Sequence, residues 1–266
     1  MGLTLQGGPL APNPPDEVNY RVESPAHRLF FDKFPRRVRA VFNGETVFDT
    51  RRGKLLHESA ILPVLYVPDE DIRFDLLDPT DHHTHCPFKG DASYWSIVVG
   101  DRTVENAVWA YPEPLDAARW LRGYRAFYFH EMDAWFDEDE EVEGHLRDPY
   151  HRVDARASSR HVRILVDGEV VADTRRPKVL SETGLPNRYY IPPDGLVDEL
   201  LVPSTSHTHC PYKGDASYHS VQVGNRKVAD AGWFYPEPYE DAAKVRDYVA
   251  FYPDKVDVEV DGEIVT

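Results

Sequence analysis

Cysteine is scarce in this chain: 266 residues contain two, Cys86 and Cys210. A disulfide framework is thereby excluded as a source of stability, and reduced thiols in a reducing compartment are expected. Long hydrophobic runs are also missing, none approaching the ~20 residues that span a bilayer, so no membrane partner is expected. The first nine residues, Met1 to Pro9, lack a basic start followed by an apolar stretch, and cytoplasmic residence is the default expectation. Positive charge is in short supply, with 30 Lys and Arg against 46 Asp and Glu, a net charge of −16. That balance repels a nucleic-acid backbone, so no nucleic-acid partner is expected. No Gly-x-Gly-x-x-Gly, Walker loop, Gly-x-Ser-x-Gly elbow, Cys-x-x-Cys or His-Glu-x-x-His pattern occurs, which removes the common nucleotide, hydrolase and zinc signatures.

What is present is a duplication. His83-Thr84-His85-Cys86-Pro87-Phe88-Lys89-Gly90-Asp91-Ala92-Ser93-Tyr94 returns 124 residues later as His207-Thr208-His209-Cys210-Pro211-Tyr212-Lys213-Gly214-Asp215-Ala216-Ser217-Tyr218. The same offset aligns Val38 to Glu45 with Val162 to Glu169, Asp49 to Arg52 with Asp173 to Arg176, and Trp109 to Pro114 with Trp233 to Pro238. Tyr124, Ala126, Phe127 and Tyr128 likewise match Tyr248, Ala250, Phe251 and Tyr252. A period this long indicates two domains rather than a solenoid of short repeats. The expected organisation is an extended proline-rich arm over 1–20, a first repeat over 21–145, a linker over 146–160 and a second repeat over 161–266. The acidic run Asp137 to Glu141 reads as a solvated segment.

Strand signals dominate each copy. Asn43-Gly44 and Asp167-Gly168 lie between β-branched runs, the mark of a tight hairpin. In Tyr218 to Val223, alternation puts Tyr218, Ser220 and Gln222 on one face and His219, Val221 and Val223 on the other. Two short helices per copy are expected, over Asp69 to Leu77 and Leu115 to Leu121, and over Asp194 to Leu201 and Tyr239 to Val245, with prolines and acidic residues at their starts. The fold class is mainly β with short helices (α+β).

Pro fixes φ and Gly frees it, so Cys-Pro-aromatic-Lys-Gly should leave a strand in a defined bend. That bend can aim thiol and ammonium at one space, where lysine would favour a thiolate nucleophile; the alternative is a structural cysteine and a surface lysine. His83 with His85, and His207 with His209, share a strand face and would suit a metal only with a further ligand such as Glu58 or Glu182. No metal is expected. Trp109 with Tyr111, Trp233 with Tyr235, and Tyr66 and Tyr190 describe either core or an aromatic pocket with a few polar anchors. The copies differ where Arg188 of the second faces Val64 of the first, which deletes a guanidinium able to grip an anion. His219 faces Trp95 in the same way.

The succession Asp-Gly hairpin, Glu-Thr-Gly, Arg-Tyr-Tyr-Ile-Pro, His-Cys-Pro-Tyr-Lys-Gly-Asp-Ala-Ser-Tyr and Trp-Phe-Tyr-Pro-Glu-Pro resembles the domain of unknown function 427 family, over about 38–136 and 162–264. The tandem form resembles an actinobacterial member. The resemblance implies two tandem β-tent-like domains. Many β-tent relatives hold a structural zinc on paired cysteines, which one cysteine per copy cannot build. The family is also labelled nucleotidyltransferase-like, although no Gly-Ser pair ahead of spaced aspartates is present to hold metal ions and a triphosphate. The positions the resemblance places in the family cleft are Glu182, Arg188, Tyr190, His209, Cys210, Lys213, Tyr218, Trp233 and Tyr235. Their counterparts are Glu58, Val64, Tyr66, His85, Cys86, Lys89, Tyr94, Trp109 and Tyr111.

The reading that follows is a protein binding a small polar or anionic molecule in an aromatic cleft, the second repeat being the better candidate. Arg188 and Lys213 would anchor an anion, and no cofactor is called for. An enzyme using Cys210 as nucleophile, or Glu182 and His209 as acid and base, is a second reading. A structural or protein-interaction tandem is a third, and the sequence assigns no oligomeric state.

Overall fold

The local turn chemistry is realised as strands joined by tight hairpins. A computed structural model describes residues 25–265, together with Glu17 and Asn19. The expected arm over 1–20 therefore lies outside the described residues except for those two. The chain divides into two units, 1–150 and 151–266. In both, the Asn-Gly or Asp-Gly pair occupies the left-handed region: Asn43 at φ 47° and Gly44 at 79°, Asp167 at 52° and Gly168 at 82°. Those paired positive φ values suit the right-handed twist of the flanking strands.

In the first unit one antiparallel sheet runs, edge to edge, Leu29–Lys33, Lys54–Glu58, Ile61–Pro68, Tyr124–Phe127, Arg102–Ala110, Gly90–Val99 and Leu77–Cys86. A second sheet orders Glu140–Glu141, Ala134–Asp137, Val38–Phe42 and Glu45–Thr50. The second unit repeats the plan with the large sheet parted. Val153–Ala157, Lys178–Glu182 and Leu185–Tyr190 form one piece, and Leu201–Cys210, Gly214–Val223, Arg226–Phe234 and Ala250–Phe251 another. Among the described residues the one backbone bridge between them is Ile191–Val249, where the first unit pairs Val67 with Arg125 in a continuous ladder. The remaining sheet orders Glu169–Thr174, Val162–Val166, Asp257–Val260 and Glu263–Val265.

The mainly β class with short helices is realised, and the structure gives several local expectations a definite form. Residues 146–160 are more structured than a linker: Leu146 and Asp148 are buried, and Val153–Ala157 pairs along Lys178–Glu182. The short helices are 3₁₀ turns, Asp69–Asp71, Phe74–Leu76, Asp116–Leu121 and, in the second unit, Pro193–Gly195, Asp198–Leu200 and Glu240–Val245. Runs this brief cannot repay α-helix nucleation. In addition, the bridges Phe48–Ile72 and Ala172–Leu196 hold the residue that follows the first turn of each unit in extended backbone. The alternation of Gly214–Val223 breaks at a register shift between His219 and Val221, which leaves Ser220 and Val221 both buried.

The acidic run is not simply solvated. Asp137 accepts a two-pronged hydrogen bond from Arg36, at 2.6 and 2.5 Å, and Glu138 accepts the Arg37 N–H at 2.9 Å. Each unit has two apolar clusters. One is aliphatic-rich, built in the second unit from Val162, Ile164, Val171, Ile191, Val221 and Val258. Full burial of each such side chain stabilises by roughly 1.5–3 kcal/mol. The other is aromatic-rich, with Tyr190, Tyr218, Trp233 and Tyr235 in the second unit and Tyr66, Tyr94 and Tyr111 in the first. The candidate site grows from that aromatic cluster. Among the described residues no helix is long and apolar enough to cross a membrane.

Candidate functional site

The repeated Cys-Pro-aromatic-Lys-Gly segment is a turn between two strands. Leu201–Cys210 ends at the cysteine and Gly214–Val223 begins at the glycine, with Lys213 N–H donating to Cys210 O at 3.1 Å. Gly214 has φ +96°, and a Cβ there would lie 3.1 Å from Glu237 O. Gly90 has φ +105°, with Glu113 O at 3.3 Å from the same imagined atom. The glycine is thus required twice, by backbone conformation and by close approach of the Tyr-Pro-Glu-Pro segment. Tyr239 N–H closes that contact by donating to Lys213 O at 3.1 Å, as Leu115 does to Lys89 O at 3.0 Å.

This turn sends thiol and ammonium to different neighbours. Lys213 Nζ donates to Glu182 Oε2 at 2.6 Å, and the other carboxylate oxygen lies 3.0 Å from His151 Nε2. His151 has no exposed side-chain area, and Tyr212 covers it with ring centroids 4.1 Å apart. The first unit repeats the arrangement: Lys89 donates to Glu58, His27 Nε2 lies 3.2 Å from Glu58 Oε2, and Phe88 stacks on His27 at 3.8 Å. Burial alone would raise the Glu182 carboxyl, but the His151 hydrogen bond and the Lys213 charge outweigh it and hold the group at about 2. Cys210, by contrast, packs partly buried against the aromatic cluster, as Cys86 does in the first unit.

Above this charged clip lies a cavity of about 210 Å³ in the second unit. Glu182, Arg188, Tyr190, Lys213, Tyr218, Trp233 and Tyr235 line it, joined by Leu180, Leu185, Pro186, Thr208 and Tyr252. Seven of the nine second-copy positions singled out from sequence therefore converge, while His209 and Cys210 are not on the wall. His209 Nδ1 instead lies 2.8 Å from Asp215 Oδ1, and His85 pairs with Asp91 at 2.6 Å. His207 Nδ1 approaches Ser217 Oγ at 3.4 Å, so the two imidazoles of the pair serve different partners.

The wall is rigid and rich in hydrogen-bond donors. Trp233 Nε1–H donates to the Tyr190 hydroxyl at 3.1 Å, the two rings meeting edge-on at 6.1 Å. Tyr252 also packs on Trp233, at 4.3 Å, and the Tyr218 hydroxyl lies 2.7 Å from Thr208 Oγ1. Burial raises the phenols of Tyr190, Tyr235 and Tyr252, so they remain protonated donors. Two polar groups of the wall have no partner among the described residues. One is the Arg188 guanidinium; the other is the hydroxyl of Tyr235, a residue only 4% exposed.

The first unit keeps the ring framework. Tyr66 meets Trp109 edge-on at 6.4 Å, Trp109 packs on Tyr128 at 4.6 Å, and the Tyr94 hydroxyl lies 2.9 Å from Thr84 Oγ1. Lys89 sits 5.4 Å from the Tyr111 ring centre. Val64 occupies the place of Arg188, both set opposite a leucine on the preceding strand.

Sequence reasoning missed His27, His151, Thr208 and Tyr252. The 124-residue offset itself pairs His27 with His151, which is the signal that could have found them. The profile of the family described as domain of unknown function (DUF427) matches this chain twice, over residues 31–138 and 154–262. No curated protein matches it.

Proposed function

The chain belongs to the DUF427 family through both of its halves, and from that premise we propose that its second repeat binds a small polar or anionic molecule in the cavity beside Arg188. The observation that carries this reading is the unpaired guanidinium of Arg188, with the unpaired hydroxyl of Tyr235, on the wall of an aromatic cavity. Arg188 is half-buried, so its guanidinium still reaches solvent, and a ligand bearing acceptors can replace that water with charge-assisted hydrogen bonds. At about 210 Å³ the cavity is smaller than the roughly 300–1,000 Å³ of drug-sized sites, so its occupant is of fragment size.

Binding without chemistry is favoured over the enzyme reading by two facts. Glu182, held at about 2, is poorly matched to proton transfer near neutrality. Cys210 packs in the aromatic cluster, off the cavity wall, with no cation drawn to it by the turn, since Lys213 is engaged by Glu182. Lys213 therefore supports the wall instead of anchoring the ligand.

The test is a thermal-shift screen of small metabolites, followed by calorimetry, on wild type and Arg188→Ala. At least one anion should stabilise the wild type and bind the variant about 10-fold or more weakly, as expected for lost charge-assisted hydrogen bonds. If no compound stabilises wild type more than Arg188→Ala, the reading fails.

A further inference from the structure

Resting on that binding reading, we infer that the second-repeat cavity selects singly charged ligands, namely small monocarboxylates attached to a flat unsaturated ring, over dianions such as phosphate monoesters. Three ionic side chains line the cavity: Glu182, Lys213 and Arg188. Lys213 and Glu182 neutralise one another at 2.6 Å, and both are nearly buried, with 10% and 12% of their side-chain area exposed. With His151, the other partner of Glu182, off the cavity wall, their pairing leaves one uncompensated positive charge on the wall, that of Arg188. One carboxylate matches it, in number and in the bidentate geometry a guanidinium offers.

A second negative charge would find no counter-ion among the described wall residues. It would instead meet the carboxylate of Glu182, which stays ionised down to about pH 2. Across the short span of a cavity this size that repulsion is only partly screened.

The body of the ligand follows from the rings. Trp233 contacts both Tyr190 and Tyr252, with ring centres 6.1 and 4.3 Å away, and offers an aromatic wall. A cavity of about 150 Å³ accepts one benzene-sized ring, so about 210 Å³ holds a ring and a carboxylate and little more. The Tyr235 hydroxyl supplies a neutral donor for the second carboxylate oxygen or for a ring substituent.

The experiment titrates the full chain with benzoate, benzamide and phenyl phosphate by calorimetry, using wild type, Arg188→Ala and Glu182→Gln. Benzoate should bind wild type, with benzamide weaker by about 10-fold or more, and Arg188→Ala should lose benzoate by about 10- to 100-fold. Phenyl phosphate should bind wild type more weakly than benzoate at pH 8. It should tighten toward pH 5 as its second ionisation, near 6, is reversed, while benzoate, singly charged throughout, changes less. Glu182→Gln should narrow the gap between the two ligands at pH 8; if that variant does not fold, the wild-type ranking alone decides. Phenyl phosphate binding as tightly as benzoate at pH 8, still dependent on Arg188, would overturn the charge count and leave the anion-binding reading standing. Failure of benzoate to bind overturns the inference outright. The binding reading falls as well only if the metabolite screen also finds no ligand dependent on Arg188.

Discussion

In the first repeat Val64 stands across the strand pair from Leu56, and Phe31 stacks on Trp120 with ring centres 4.8 Å apart. In the second, Arg188 stands across from Leu180, while Ala155 and Lys244 take the places of Phe31 and Trp120, with Lys244 Nζ donating to Ala155 O at 3.3 Å. Beneath these differences the clip is the same: His27, Glu58 and Lys89 in one, His151, Glu182 and Lys213 in the other. The repeated twelve-residue segment is thus foremost a device for holding strands together. The differences named here lie outside it, and among them Arg188 lines the cavity. Duplication preserved the support and let the wall diverge.

The comparison can be broken most forcefully at the shared clip. Lys213→Met leaves the Glu182 carboxylate buried without its cation, and should destabilise the second repeat by about 3–5 kcal/mol in urea unfolding. Lys89→Met should do the same to the first, because Glu58 is 5% exposed. A large effect in one repeat only would show that the clips are not equivalent. Next in size is an acid effect. Glu182 lies near 2 when folded against about 4.3 in an unfolded chain, so the stability it contributes is complete above pH 4.3 and lost as pH falls toward 2. That contribution is about 3 kcal/mol at neutrality, and Glu182→Gln should flatten this acid limb of a stability-versus-pH curve. Smallest is the glycine pair. Gly214→Ala and Gly90→Ala force a side chain into positive φ and toward a carbonyl, costing about 1–3 kcal/mol each. The penalty should be the greater at 214, where the carbonyl is 3.1 Å away against 3.3 Å at 90, and equal midpoints would remove that distinction.

Local chemistry was the legible part of the chain. Asn43-Gly44 and Asp167-Gly168 declare their turns because two residues decide the backbone, and the 124-residue offset declares the duplication without any structure. The convergence of Glu182, Arg188, Lys213, Trp233 and Tyr235 could be anticipated from residue types and family likeness together. What could not be read is where a side chain turns after the strand ends. Cys210 and Lys213 are three residues apart, yet one settles against rings and the other reaches a carboxylate from a different strand. His151 was hidden for a related reason: its partner Glu182 is distant in sequence, and only the tertiary register of Val153–Ala157 along Lys178–Glu182 brings them together. The short helices were legible from the proline and acidic residues at their starts, but their brevity was not, because strand bridges decide how soon they stop.

Trp233 has one more consequence. The chain has five tryptophans, and the other four, Trp95, Trp109, Trp120 and Trp135, all belong to the first repeat. The second repeat therefore carries a single indole, fixed by its hydrogen bond to Tyr190 and placed on the cavity wall. With the four others replaced by phenylalanine, its emission becomes a built-in optical gauge of the surroundings of that cavity alone, without any attached label.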